Sequence, residues 1–73
     1  MLIMSQNKTK AIDTTGACFY IEHDEGCYKL EASGSNTIEV NLCMGIYQTE
    51  AEAKRALARI AEQAENGRSI AYL

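Results

Sequence analysis

From Ile38 to Ile46 the chain alternates strictly: Ile38, Val40, Leu42, Met44 and Ile46 stand at every second position, with Glu39, Asn41, Cys43 and Gly45 between them. A period of two is that of a half-buried strand, so this segment predicts a strand with one wet face and one apolar face that needs a cover. The cover follows directly. Ala53, Ala56, Leu57, Ile60, Ala61 and Ala64 keep the spacing of a single helical stripe, predicting an amphipathic helix from about Thr49 to Asn66. Thr49 and Glu52 form a capping-box pair at its start, each side chain suited to a free backbone N–H, and Asn66-Gly67 supplies the stop.

Weaker patterns fill in the rest. Leu2 to Ser5 and Ala11 to Asp13 predict two short strands around the turn formers Gln6-Asn7-Lys8. Ala17 to Glu22 and Cys27 to Ala32 predict a hairpin turning at Asp24-Glu25-Gly26, with Tyr28, Leu30 and Ala32 on one face. Ser33-Gly34-Ser35-Asn36 is the next turn, and Ile70 and Tyr72 alternate within a final strand between Arg68 and Leu73. The sum is an α+β fold: a small antiparallel β-sheet of four to six short strands, one amphipathic helix on one face, and a short C-terminal strand.

Seventy-three residues suffice for one domain, 1–73, with a thin core. Cores of this size are often supplemented by disulfides, a metal or self-association. Cys18, Cys27 and Cys43 are odd in number, lack C-x-x-C spacing and lie among strand residues, so they read as reduced, buried thiols. The apolar run Met1 to Met4 is far too short for a signal peptide or a membrane span, which leads to an expectation of a cytoplasmic protein with no membrane partner. A net charge of −3 argues against direct duplex nucleic-acid binding, which needs excess Lys and Arg to displace counterions.

Candidate chemistry is sparse. His23, Asp24, Glu25 and Cys27 are metal-ligand types, but neighbouring strand residues point to opposite faces, so a solvated acidic turn is the better reading and no metal or cofactor is expected. No Cys–His–orienter trio and no phosphate-cradling glycine loop is present in the sequence, and a non-enzymatic protein is expected. The basic helix edge is more informative. Arg55 and Arg59 are one turn apart with Lys54 beside them, and Glu50 and Glu52 are spaced to compensate part of that charge. With Arg68 they form a cationic inventory suited to phosphates or carboxylates, and Tyr20, Tyr28 and Tyr47 are candidates to stack on a base. Ala51 and Ala58 lie off the main stripe and leave a small-residue surface that could admit another backbone; with the thin core, this predicts a homo-oligomer.

Two segments, M-L-I-M-S-Q-N-K-T-K at Met1 to Lys10 and G-I-Y-Q-T-E-A-E-A-K-R-A-L-A-R-I at Gly45 to Ile60, resemble small uncharacterised proteins common in prophages and mobile elements of Gram-positive bacteria. Members combine an apolar strand and S-Q-x-K-T-K turn with a later G-x-Y-x-T-E-x-E-A helix start. The resemblance implies a phage-type, counter-defence setting in the host cytoplasm and carries over no catalytic residue. Joined to the Arg, Lys and Tyr inventory, it leads to the expectation of a protein that sequesters a small anionic immune signal such as a cyclic nucleotide. The alternative is an anti-CRISPR-like inhibitor that meets a host defence protein through the acidic hairpin at Glu22, Asp24 and Glu25.

Overall fold

A computed structural model describes residues 1–34 and 41–73. The order is β1 (Leu2–Met4), β2 (Ala11–Asp13), β3 (Ala17–Asp24), β4 (Cys27–Gly34), β5 (Leu42–Tyr47), α1 (Glu50–Glu65) and β6 (Ile70–Tyr72). The expected α+β architecture holds, with the strands divided between two three-stranded sheets, β2-β1-β6 and β3-β4-β5. The two N-terminal runs pair with each other in antiparallel fashion, Ile3 opposite Ile12, and β6 joins the far side of β1 in parallel. β4 runs on to Gly34, so the expected turn does not begin at Ser33; its remainder, Ser35 and Asn36, and the strand positions Ile38 and Val40 lie outside the described residues.

Both sheets and the helix share one core, built from Ile3, Ile12, Leu30, Ala32, Met44, Ile60 and Ala71. On the helix, Ala53 and Ile60 are buried and Ala56 and Leu57 half-buried, whereas Ala61 and Ala64, expected in the same stripe, are exposed. The apolar cover beneath α1 ends at Ile60. Thr49 caps the helix as expected, its Oγ1 accepting from Glu52 N–H at 3.2 Å. The Glu52 carboxylate accepts from the Thr49 hydroxyl at 2.9 Å rather than from its N–H, so the capping box closes through side chains. At the other end Gly67 (φ 70°) donates to Ala64 O and Arg68 N–H to Gln63 O, the two bonds of a Schellman stop.

β5 departs from the expected alternation. Glu31 pairs with Cys43 and the adjacent Leu30 with Gly45, so Met44 is an extra residue, a β-bulge. Before the bulge Leu42 faces the core; after it Gly45 and Tyr47 do, and Ile46 is turned to solvent, 54% exposed. A bulge shifts the side-chain period by one, which is how a run with perfect period two places its last apolar residue outside. The same geometry corrects the cysteines. Cys18, Cys27 and Cys43 are free, but all fall on the sheet face away from the core; Cys18 is exposed and the other two half-buried.

The two segments behind the family resemblance meet at the bulge. Ser5 is 1% exposed and accepts from Lys10 N–H, while Asn7 Oδ1 accepts from the Ser5 and Thr9 hydroxyls, fixing the turn around Lys8 (φ 62°). That turn presents Gln6 to the free edge of β5: its N–H donates to Met44 O at 2.8 Å and its Oε1 accepts from Ile46 N–H at 2.9 Å. Lys10 Nζ adds a bond to Cys43 O. The S-Q-N-K-T-K turn is thus a clasp that joins the sheets and closes an edge strand.

Candidate functional site

At the end of β5 the chain passes Gly45-Ile46-Tyr47 into the N-terminus of α1, bringing a sheet tyrosine beside the first turns of the helix. Gly45 has no Cβ, and the Tyr47 ring lies over it: a Cβ there would stand 2.7 Å from Tyr47 Oη and 2.9 Å from Cε2. The ring so placed forms one wall of a cavity of about 310 Å³, together with Glu52, Arg55, Ala56, Arg59 and Leu73. Burial raises the Tyr47 hydroxyl above its ordinary value, and the Arg59 guanidinium pulls partly the other way. The phenol is therefore a neutral hydrogen-bonding group at physiological pH.

The charge in this cavity is uncommitted. Among the described residues the ion pairs are Lys29–Asp24 at 3.0 Å and Lys54–Glu50 at 2.7 Å; neither Arg55 nor Arg59 is paired. Glu52, expected to compensate Arg55, forms no ion pair with it; its Oε1 accepts from the Thr49 hydroxyl, and its carboxylate remains in the cavity wall. The two guanidiniums form a ridge, with a second depression of about 410 Å³ lined by Arg55, Ala58, Arg59, Glu62 and Gln63 on its other side. A half-buried phenol, two free arginine forks one turn apart and an alanine floor can receive a phosphate or carboxylate carrying a flat apolar group.

Of the seven residues the sequence suggested, Tyr47, Arg55 and Arg59 converge here and four do not. Lys54 is held by Glu50, whose carboxyl is lowered and whose partner ammonium is raised by their hydrogen bond. Arg68 is part of the helix stop, two residues before β6, and lines neither this cavity nor the depression beside it. Tyr28 pairs with Tyr47 across the strands but stacks on His23, ring centroids 4.4 Å apart and planes within 8°. Tyr20 is on the opposite sheet face, hydrogen-bonded to Asn41 and beside Glu31 and Glu22. Glu52 and Leu73 were not foreseen: one read as a cap and the other as a strand end, and only the tertiary fold sets them in one wall.

His23 gathers no metal site. Among the described residues no group of three His, Cys, Asp or Glu side chains could hold an ion. The turn is the two-residue kind, Glu25 (φ 43°) and Gly26 (φ 81°), and it puts His23 on the helix side while Asp24 and Cys27 share the other face. That other face is acidic, and burial together with neighbouring Glu22 raises the Glu31 carboxyl. No helix among the described residues is long and apolar enough to cross a membrane. Set against protein-family models, curated proteins and solved structures, the chain matches none.

Proposed function

We propose that the protein is a non-enzymatic binder of a small phosphate-bearing ligand of the nucleotide class, held between Tyr47 and the Arg55–Arg59 ridge. One observation carries this: in a chain of net charge −3, two arginines one turn apart lack any ion-pair partner among the described residues and open on the same cavity as a half-buried tyrosine. Holding guanidiniums of like charge together costs energy that an anion recovers. The phenol and the Ala56 floor offer a surface for a base, and the phosphates take the arginine forks. Resemblance of the clasp and helix-start segments to prophage proteins supports a setting in which such binding sequesters a host immune signal in the host cytoplasm.

Calorimetric titration with mono- and cyclic dinucleotides tests the reading. Saturable binding is expected for at least one cyclic dinucleotide, weakened about tenfold or more by Arg59→Ala, in line with the loss of one charge-assisted contact. Silence across the panel would sink it. A second reading, an inhibitor that docks on a basic surface of a host defence protein, is favoured by Glu22 and Glu31 on the outer sheet face, where Asp24 is already paired with Lys29. A stoichiometric protein captured from host extract, and lost in a Glu22→Lys variant that still binds nucleotide, is its distinguishing result.

A further inference from the structure

β6 is a short edge strand that carries no charge. Leu2 N–H donates to Ser69 O and Leu73 N–H to Met4 O, which fixes the parallel ladder: Ser69, Ala71 and Leu73 bond to β1, and the N–H and C=O groups of Ile70 and Tyr72 point away from it. Among the described residues nothing pairs with that outer edge. The other edges are managed. β5 is clasped by Gln6 and Lys10, β3 carries Glu22 and Asp24, and β2 follows Lys10 and ends on Asp13. By contrast Ile70-Ala71-Tyr72 has no charge or proline, and its Ile70 and Tyr72 side chains are 40% and 56% exposed.

We infer that this edge pairs in antiparallel fashion with β6 of a second copy. The strand is self-complementary in one register. A twofold axis at Ala71 sets Ile70 opposite Tyr72 of the other copy, twice, and engages every outward N–H and C=O of both strands. Shifting the axis to Ile70 or Tyr72 leaves some of those groups unpaired. The outer-face pairs Leu2–Ile70 and Met4–Tyr72 then continue across the junction as one apolar row of a six-stranded sheet.

Sedimentation equilibrium on the full chain tests the pairing, with Tyr72→Pro and Tyr72→Lys as variants. The proline removes only an outward N–H, leaves the bonds to β1 in place, and retains an edge-strand conformation; the lysine covers the case in which the proline variant does not fold. A dimeric wild type and a monomeric variant of unchanged circular dichroism are expected. A monomeric wild type at high concentration, or a folded variant as dimeric as the wild type, overturns the interface.

Discussion

Gly45→Ala isolates the contact that shapes the cavity. The added Cβ would meet Tyr47 Oη, Cε2 and Cζ at 2.7, 2.9 and 3.0 Å, so the ring must retreat by roughly 1 Å to reach ordinary van der Waals separation. Gly45 is buried opposite Leu30, itself 0% exposed, so the backbone beneath cannot yield instead. Overpacking of this kind costs about 1–3 kcal/mol. Gly45 has no positive φ, so alanine recovers about 0.4–1 kcal/mol through the unfolded chain. The net is a destabilisation of about 1–2 kcal/mol, or a melting point about 5–15 °C lower for a domain of this size. The decisive comparison is made in a Tyr47→Ala background. With the ring gone the clash vanishes, and Gly45→Ala should change sign and stabilise by about 0.4–1 kcal/mol in urea unfolding. Equal destabilisation in both backgrounds would refute the claim that glycine is required there to seat the tyrosine.

Three further outcomes follow from the geometry. Gln6→Ala removes one side of the clasp, costs about 0.5–1.5 kcal/mol, and accelerates hydrogen exchange at the Ile46 amide first; unchanged exchange there contradicts the clasp. Glu31 is raised in the folded state by burial and by Glu22, so any stability its protonated form contributes is present at acid pH and lost as pH rises through the raised value. Glu31→Gln is therefore expected to raise the urea midpoint at neutral pH, with the gain shrinking under acid conditions, and a gain independent of pH argues against this cause. Maleimide labelling of the native protein should modify exposed Cys18 before half-buried Cys27 and Cys43, as peptide mapping would show.

The helix was legible in the sequence because its signals are local: Thr49 and Glu52 at fixed spacing, the stripe through Ile60, and Asn66-Gly67. Strand existence was legible for the same reason, through alternation. The way Met44 interrupts β5 was not, since a bulge is decided by the partner strand and by Gln6, thirty-eight positions earlier in the chain. That one extra residue turned Ile46 outward and Gly45 inward. Cys18, Cys27 and Cys43 were read as buried from their number, spacing and place among strand residues, whereas the face each occupies depends on register. Within the site, Arg55 and Arg59 were readable from i, i+4 spacing and Tyr47 from residue type, but their convergence with Leu73 depends on β6 returning beside β1. The G-I-Y and S-Q-N-K-T-K segments have a structural basis too: ring seat, turn and clasp, which fix the position of Tyr47.

The central claim is that the Tyr47/Arg55/Arg59 cavity receives an anion, and a nitrogen-15 NMR titration with a cyclic dinucleotide addresses it most directly. The side-chain Nε–H signals of Arg55 and Arg59 and the amides of Tyr47, Ala56 and Leu73 should move together and saturate, and an Arg55→Ala, Arg59→Ala double variant should leave the surviving signals still. Shifts confined to the Glu22/Glu31 face, or saturable shifts that persist in the double variant, would contradict it.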